Sequence, residues 1–162
     1  MQIIKNPYNL LKKGLLMEIN IYQVFEGNLA SSVVRLLEKV YSSGKRCIFY
    51  SPIEDRVKTI DKILWTFSTN AFIPHGDKTV GSAEQQPIYF TDRIENPNNA
   101  DILLIMDTFE YQNFSGNFEK IMFVFEDSAH IKVAEELYQV LKKSSENVNY
   151  WKQSKIGWEK IN

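Results

Sequence analysis

Two short segments restrict the fold of this chain more than any other part of its sequence. Residues 101–107 (Asp-Ile-Leu-Leu-Ile-Met-Asp) are apolar at every position between the two aspartates, and residues 121–125 (Ile-Met-Phe-Val-Phe) are apolar throughout. Successive side chains of a strand point to opposite faces of the sheet. A strand of this kind is therefore buried on both faces, which is typical of the middle of a parallel sheet covered by helices. The two segments predict an α/β fold.

The rest of the chain alternates between strand-like and helix-like segments. Residues 18–25, 45–50 and 87–91 predict further strands, and helices are predicted after Asn28, after Pro52 and after Asp127 or Ser128. Asn28 is the expected N-cap of the first helix, and Gly44 is placed to end it. Because crossovers between parallel strands are right-handed, we expect one domain over residues 17–162, with a mainly parallel central sheet and helices on both faces.

Residues 1–16 differ from this pattern. Pro7, Gly14 and three lysines interrupt any periodicity, and a regular strand pattern begins only after Met17. We expect a loosely held N-terminal extension, with Met17 as an alternative start of translation. A short helix docked on the domain is the other interpretation.

Composition and charge narrow the classes of function. The formal net charge of −1 argues against a grip on nucleic acid by the whole molecule, because neutralising phosphates requires clustered Lys and Arg. The net charge does not address a local basic patch, which stays an alternative. The single cysteine, Cys47, lies in an apolar run and is expected to be a buried, inert thiol. No apolar run approaches the ~20 residues of a membrane helix, so a cytoplasmic protein without membrane contact is expected.

The loops after the first two strands lack the features of a nucleotide site. Residues 25–28 (Phe-Glu-Gly-Asn) contain one glycine, whereas dinucleotide and phosphate-binding motifs need several glycines or a Gly-Lys-Ser/Thr set. Residues 51–55 contain no glycine and two acidic side chains. We therefore predict a Rossmann-like fold without a nucleotide site and without a cofactor.

No convincing catalytic or metal-binding set emerges from the sequence. His75 and His130 are far apart, and neither has a partner at metal-ligand spacing. His75 is interpreted as a loop residue bonded to the backbone. Asp107 follows a strand, where α/β enzymes often bind ligands, but capping of the next turn is the preferred interpretation. The prediction is a protein with no catalytic residue and no metal site.

One aromatic side chain is out of phase with the core face of its helix. Val57, Ile60, Leu64 and Phe67 form a narrow apolar stripe, and Trp65 lies roughly 120° from its centre at 100° per residue. Exposed tryptophans are frequent anchors of protein interfaces. The alternative, that Phe72 or the following loop covers Trp65, is equally compatible with the spacing.

The same region carries a resemblance to a known family. Leu64-Trp65 and the run Phe72-Ile-Pro-His-Gly76 resemble the signature of the chi subunit of bacterial DNA polymerase III holoenzyme. Similarity extends to residues 44–50 (Gly-Lys-Arg-Cys-Ile-Phe-Tyr), to the strand that starts at Asp101, and to the strand-to-helix junction at residues 123–128. In order and spacing, the resemblance covers most of the chain, from about residue 18 to residue 158.

The resemblance implies a non-catalytic accessory subunit in DNA replication. Members of this family bind the psi subunit, which connects them to the clamp loader, and the acidic C-terminal tail of single-stranded DNA-binding protein. Trp65, Phe72, Ile73 and Pro74 inherit the surface used for psi or for a competing helicase-like partner. Direct sequence-specific contact with nucleic acid is not implied. The alternatives are a chi-like adaptor of a DNA repair helicase and an enzyme on a nucleotide-binding-like fold.

The tail site carried over from the family departs from its pattern here. Val124 and Tyr138 match the apolar wall for the terminal phenylalanine, but the family's flanking arginine and lysine are replaced by Glu135 and Gln139. Lys132 and Lys142 lie on the same helix face and are candidates to supply the missing charge. Pairing of these lysines with acidic residues at helical spacing is the alternative.

Overall fold

One mostly parallel sheet organises the chain. The computed structural model describes residues 17–67, 72–144 and 147–162, so the prediction for residues 1–16 lies outside the described residues. The elements in chain order are β1 (Glu18–Gln23), α1 (Leu29–Ser42), β2 (Cys47–Tyr50), α2 (Glu54–Thr66), β3 (His75–Gly76), β4 (Ile88–Thr91), β5 (Ile102–Met106), β6 (Lys120–Phe125), α3 (Ser128–Ser144), β7 (Val148–Ser154) and β8 (Gly157–Ile161).

The strands lie in the order β3-β4-β2-β5-β6-β1-β7-β8. Every neighbouring pair is parallel except β7 and β8, which form an antiparallel hairpin at one edge. The two segments that are apolar on both faces, β5 and β6, are adjacent in the middle of the sheet. The predicted α/β class and the mainly parallel sheet are confirmed.

Two apolar cores lie on opposite faces of this sheet. α1 and α2 cover one face, where their side chains pack with Phe49, Phe90 and the even-numbered residues Met122 and Val124 of β6. α3 covers the other face together with Phe123 and neighbouring odd-numbered residues of β6. Because side chains alternate along a strand, every second residue of β6 packs under α1 and α2 and the others pack under α3. Helices on both faces are confirmed.

The ends of the helices show how local sequence sets the boundaries. Asp127, rather than Ser128, caps α3, because its Oδ1 accepts a hydrogen bond from the His130 amide at 3.0 Å. Asn28 occupies the N-cap position of α1, but its side chain makes no capping bond. Glu126 Oε2 instead accepts from the Leu29 amide at 3.1 Å. The predicted position was right, and the cap comes from another element.

Three strands, β3, β7 and β8, were not predicted. The presumed loop over residues 74–86 contains β3, which pairs with β4, and a 3-10 helix at Ala83–Gln85. The hairpin of β7 and β8 extends the sheet past β1. Cys47 is buried as expected, and burial raises the pKa of its thiol to about 12. Across the described ranges, no helix has the length and apolar character required to cross a membrane.

Candidate functional site

The end of α2 and the start of the segment leading to β3 present two aromatic side chains to solvent. Trp65 is 53% exposed and Phe72 is 68% exposed, although both are large and apolar. Their ring centroids lie 5.7 Å apart with the planes tilted by 45°. We call Trp65 and Phe72 the Trp65 surface. The predicted position of Trp65 outside the core stripe is confirmed, and Phe72 does not cover it.

A buried histidine supports this surface from below. The His75 side chain is only 1% exposed, and its ring lies between Trp65 and Phe90 at centroid distances of 4.4 Å and 5.4 Å. Its Nδ1 is 2.7 Å from the carbonyl oxygen of Ile73, an arrangement in which Nδ1–H donates to that carbonyl. The predicted bond of His75 to the backbone is confirmed. The imidazole ring also packs against the buried side of the Trp65 indole.

Asp61 connects the two rings. Its Oδ1 lies 3.2 Å from Nε2 of His75, a close contact that is not aligned as a hydrogen bond. Asp61 also accepts a side-chain hydrogen bond from Trp65, whose indole N–H is its only donor. Burial raises the pKa of Asp61, while the charge of His75 and the bond from Trp65 act to lower it. The carboxylate therefore interacts with both the indole and the imidazole.

The other two residues predicted for this surface contribute less to it. Ile73 is buried and packs in the core under α1 and α2, so it is not available to a partner. Its backbone carbonyl instead holds His75. Pro74 is partly exposed beside it. The prediction that Ile73 contacts a partner directly is corrected on this ground.

The residues predicted for a tail-binding site are only partly brought together. Lys142 Nζ donates to the Tyr138 hydroxyl at 3.0 Å and lies 5.1 Å from the centre of its ring. The Tyr138 hydroxyl donates to the carbonyl oxygen of Ile161 at 3.2 Å. Lys132 is exposed on the same helix. Tyr138 and Lys142 thus form a defined pair on α3, with Tyr138 itself largely buried.

Val124 does not join this pair. It is buried and belongs to the core under α1 and α2, whereas Tyr138 belongs to the core under α3. The sheet separates the two side chains, so they do not line one pocket. The predicted grouping is corrected, because the alternation along β6 points Val124 away from α3.

Asp107 lies at the carboxyl end of β5 and is bound by the chain itself. Its Oδ2 accepts from the Ser51 hydroxyl at 2.7 Å, and its Oδ1 is 3.3 Å from Nη2 of Arg56. The two carboxylate oxygens thus connect the residue after the end of β2 to the first turn of α2. In the part of the chain that the structure describes, no three His, Cys, Asp or Glu side chains are grouped to hold a metal ion.

Sequence reasoning missed Asp61 and the tryptophans of the hairpin. Asp61 precedes Trp65 by four residues, a spacing that places both on one side of α2, and this was the available signal. Trp151 and Trp158 lie in strands that the sequence pattern did not predict.

Comparisons with known proteins agree with the resemblance of the sequence motifs. The model of the family described as DNA polymerase III chi subunit, HolC, matches residues 16–148. A protein of Rickettsia prowazekii (strain Madrid E), named "Probable DNA polymerase III subunit chi", is 36% identical over 89 residues, which are 55% of this chain and 54% of that protein. The chain thus spans about half the length of the curated relative it matches. The family match covers β1 to the start of β7, including the Trp65 surface, and the chain belongs to the DNA polymerase III chi subunit (HolC) family.

Proposed function

We propose that this chain is a non-catalytic accessory subunit that bridges the clamp loader, through psi, to the tail of single-stranded DNA-binding protein in the cytoplasm. Family membership supports a part in replication with the polymerase. The observation that carries the docking step is the Trp65 surface, where two large aromatic side chains stay exposed in a domain with two well-filled cores. Exposed apolar clusters of this kind mark protein-binding sites.

The support under Trp65 makes this surface suitable as an interface. The indole is held by His75 on one side and by a hydrogen bond to Asp61. An anchor fixed before binding loses less conformational freedom on association, so more of its contact energy remains as affinity. Lys58 and Lys62 are exposed on the same flank of α2. We infer that psi contributes an apolar pocket for the indole.

Trp65→Ala is expected to weaken binding of psi by about 2 kcal/mol or more, the size of an interface hot spot. The physical reason is that the indole would lose its burial in the complex, while the free domain loses little because the ring is half exposed. Isothermal titration of the purified chain with psi measures the change.

Trp158→Ala is the matched control, because it removes a second exposed tryptophan at the other edge of the sheet. It should leave psi affinity unchanged. Equal affinities of the Trp65→Ala and unaltered chains would reject the anchor. A helicase that binds the unaltered chain when psi does not would favour the adaptor of a repair helicase instead.

The second contact is proposed on α3. Lys142 is an exposed cation held in place by the hydroxyl of the buried Tyr138, and it suits the carboxylates of an acidic peptide. Lys132 lies ten residues earlier on the exposed side of the helix. The proposal uses Lys132 and Lys142 as contacts, with Tyr138 positioning Lys142, and it leaves out Val124.

Lys142→Ala should weaken binding of a tail peptide about threefold to tenfold, and added salt should weaken binding of the unaltered chain, since charge pairs at a surface are screened. Lys132→Ala should act in the same direction. Fluorescence anisotropy of a labelled tail peptide, with and without its last phenylalanine, measures both effects.

Lys143→Ala is the control, because Lys143 is the neighbouring exposed lysine of α3 and does not contact Tyr138 in any described interaction. Losses of equal size for Lys142 and Lys143 would argue against a built site.

A further inference from the structure

A second exposed aromatic surface lies at the sheet edge opposite the Trp65 surface. The strand register places Tyr22 beside Trp151, and Trp151 beside Lys160. Trp158 is paired with Gln153, two residues after Trp151, so it projects from the same face. We call Tyr22, Trp151, Trp158 and Lys160 the hairpin face.

The two tryptophans of this face are not part of the cores, whereas Tyr22 packs against the core under α1 and α2. Trp158 is 40% exposed, and both tryptophans lie outside the two buried clusters. The Tyr22 and Trp158 rings meet edge to face with centroids 5.5 Å apart, and Lys160 Nζ is 5.9 Å from the centre of the Trp151 ring. Trp158 thus presents aromatic area to solvent, and Trp151 beside it is half-buried.

Cations border the hairpin face along α1. Gln153 Nε2 donates to the Ser32 hydroxyl at 3.4 Å, so this flank of α1 lies against the hairpin. Arg35 and Lys39 follow Ser32 by three and seven residues, a spacing that puts both on the same flank. Both are exposed. Glu38 follows Arg35 by three residues and is therefore an acidic neighbour of this cation on the same flank.

The acidic side chains of these strands are already paired or point elsewhere. Glu18 lies at the far end of β1, 3.3 Å from Lys120 Nζ. Glu159 is opposite Lys152 on the other face of the hairpin. Glu26 is exposed in the turn after β1 and is the acidic residue that borders the hairpin face at that end. The cations Arg35, Lys39 and Lys160 outnumber the bordering acids Glu26 and Glu38, so the local balance is positive although the whole chain carries −1.

We propose that the hairpin face binds single-stranded nucleic acid without sequence preference. Bases stack on Trp151 and Trp158, and the phosphates lie along Lys160, Arg35 and Lys39. Aromatic rings interleaved with cations are the means by which proteins hold single strands, because every base has a flat face and every linkage has a charge. The family match ends at residue 148, where β7 begins, so the family assignment does not account for these tryptophans.

A protein partner is the less favoured occupant. The hairpin face and the neighbouring flank of α1 combine aromatic rings with three cations, and a flexible polyanion can reach separate cations, whereas a folded partner needs acidic residues in matching positions. Acidic polypeptide is therefore included as a competitor in the test.

The test uses the full chain and a fluorescein-labelled oligothymidylate of about 20 nucleotides, followed by anisotropy and by tryptophan fluorescence. We expect quenching of tryptophan emission on binding, and a slope of log affinity against log salt near −2 for three phosphate contacts, at about −0.7 each. Trp158→Ala should weaken binding about fivefold or more, as loss of one stacked base does. Lys160→Gln should weaken it and bring the slope closer to −1.4.

Matched control variants distinguish binding of the oligonucleotide at the hairpin face from nonspecific binding elsewhere on the protein. Trp65→Ala and Lys62→Gln remove an exposed tryptophan and an exposed lysine at the other edge, and both should bind as the unaltered chain does. Trp158→Phe should retain most of the affinity, because a ring remains for stacking. The proposal is overturned by absent binding of the oligonucleotide at low salt, by unchanged binding of Trp158→Ala, or by polyglutamate that competes as well as the oligonucleotide.

Discussion

Asn98→Asp is expected to lower the free energy of unfolding by about 4 kcal/mol, a cost typical of a buried charge left without its partners. Asn98 is fully buried, and its Nδ2 donates to the carbonyl oxygens of Cys47 and Gln86 at 3.2 Å and 2.9 Å. The amide thus ties the start of β2 to the segment that enters β4. A carboxylate in its place presents oxygens to both carbonyls and leaves them without donors. Urea denaturation followed by circular dichroism measures the loss.

Asn99→Asp is the matched control for this change. Asn99 is the next residue and is exposed, so the same loss of an amide and gain of a charge occurs in water. Its backbone has φ of 48°, a conformation that Asp tolerates about as well as Asn. We expect a change within about 0.5 kcal/mol. Similar losses in the two variants would show that the Asn98 bonds do not hold the strands together.

The parts of the fold that the sequence predicts are those whose signal is local. β5 and β6 are recognisable because a strand buried on both faces needs apolar residues at successive positions. β8 gives no such signal, because its side chains are mostly exposed and the strand forms by pairing with β7. The cap of α1 was missed for a related reason, since Glu126 reaches Leu29 from another element. Contacts between distant segments are not encoded in local periodicity.

The same distinction applies to the candidate sites. The position of Trp65 outside the core stripe follows from its phase on one helix, whereas its exposure was left open by the spacing and is shown by the structure. The alternation along β6 also implies that Val124 and Phe123 point to opposite faces, but the face that α3 covers depends on strand order, which is not readable from the sequence. The meeting of Asp61 and His75 depends on how α2 lies over β3 and β4. The direction of a side chain within one helix or strand was predictable, whereas the contacts between side chains of different elements were not.

The two exposed aromatic surfaces lie at opposite edges of one sheet. The Trp65 surface adjoins the β3 and β4 edge, and the hairpin face occupies the β7 and β8 edge. Six strands lie between β3 and β8 in the sheet. A ligand bound at one edge therefore leaves the other edge accessible. The arrangement suits a subunit that contacts two partners at once, with Tyr138 and Lys142 on the α3 face as a third contact point.

His75→Ala is expected to lower the free energy of unfolding by about 3 kcal/mol, at the lower end of the cost of deleting a buried aromatic ring. The ring fills the space between Trp65 and Phe90, and its removal leaves a cavity under the indole. Trp65 should also lose its fixed orientation, so psi affinity should fall although His75 does not reach the surface. Urea denaturation and psi titration measure the two effects.

His75→Phe separates packing from charge. It keeps a ring between Trp65 and Phe90, so the loss of stability should be smaller than for His75→Ala, and equal losses would contradict the packing role. It also removes the charge that lowers the pKa of Asp61, while burial, the larger cause, still raises it. The pKa of Asp61 should therefore rise further in this variant, as NMR titration of the carboxyl carbon can show.

The direction of the pH effect follows from that shift. A carboxyl whose pKa is raised by folding binds its proton more tightly in the folded state, so its stabilising effect is complete below the unfolded pKa of about 3.9 and is lost as the pH rises through the folded value. The stability of His75→Phe should therefore decline more steeply than that of the unaltered chain as the pH rises from about 4. Adding Asp61→Asn should abolish the extra decline, because the titrating group is gone. A decline that persists in the double variant would place the titrating group elsewhere than beneath Trp65.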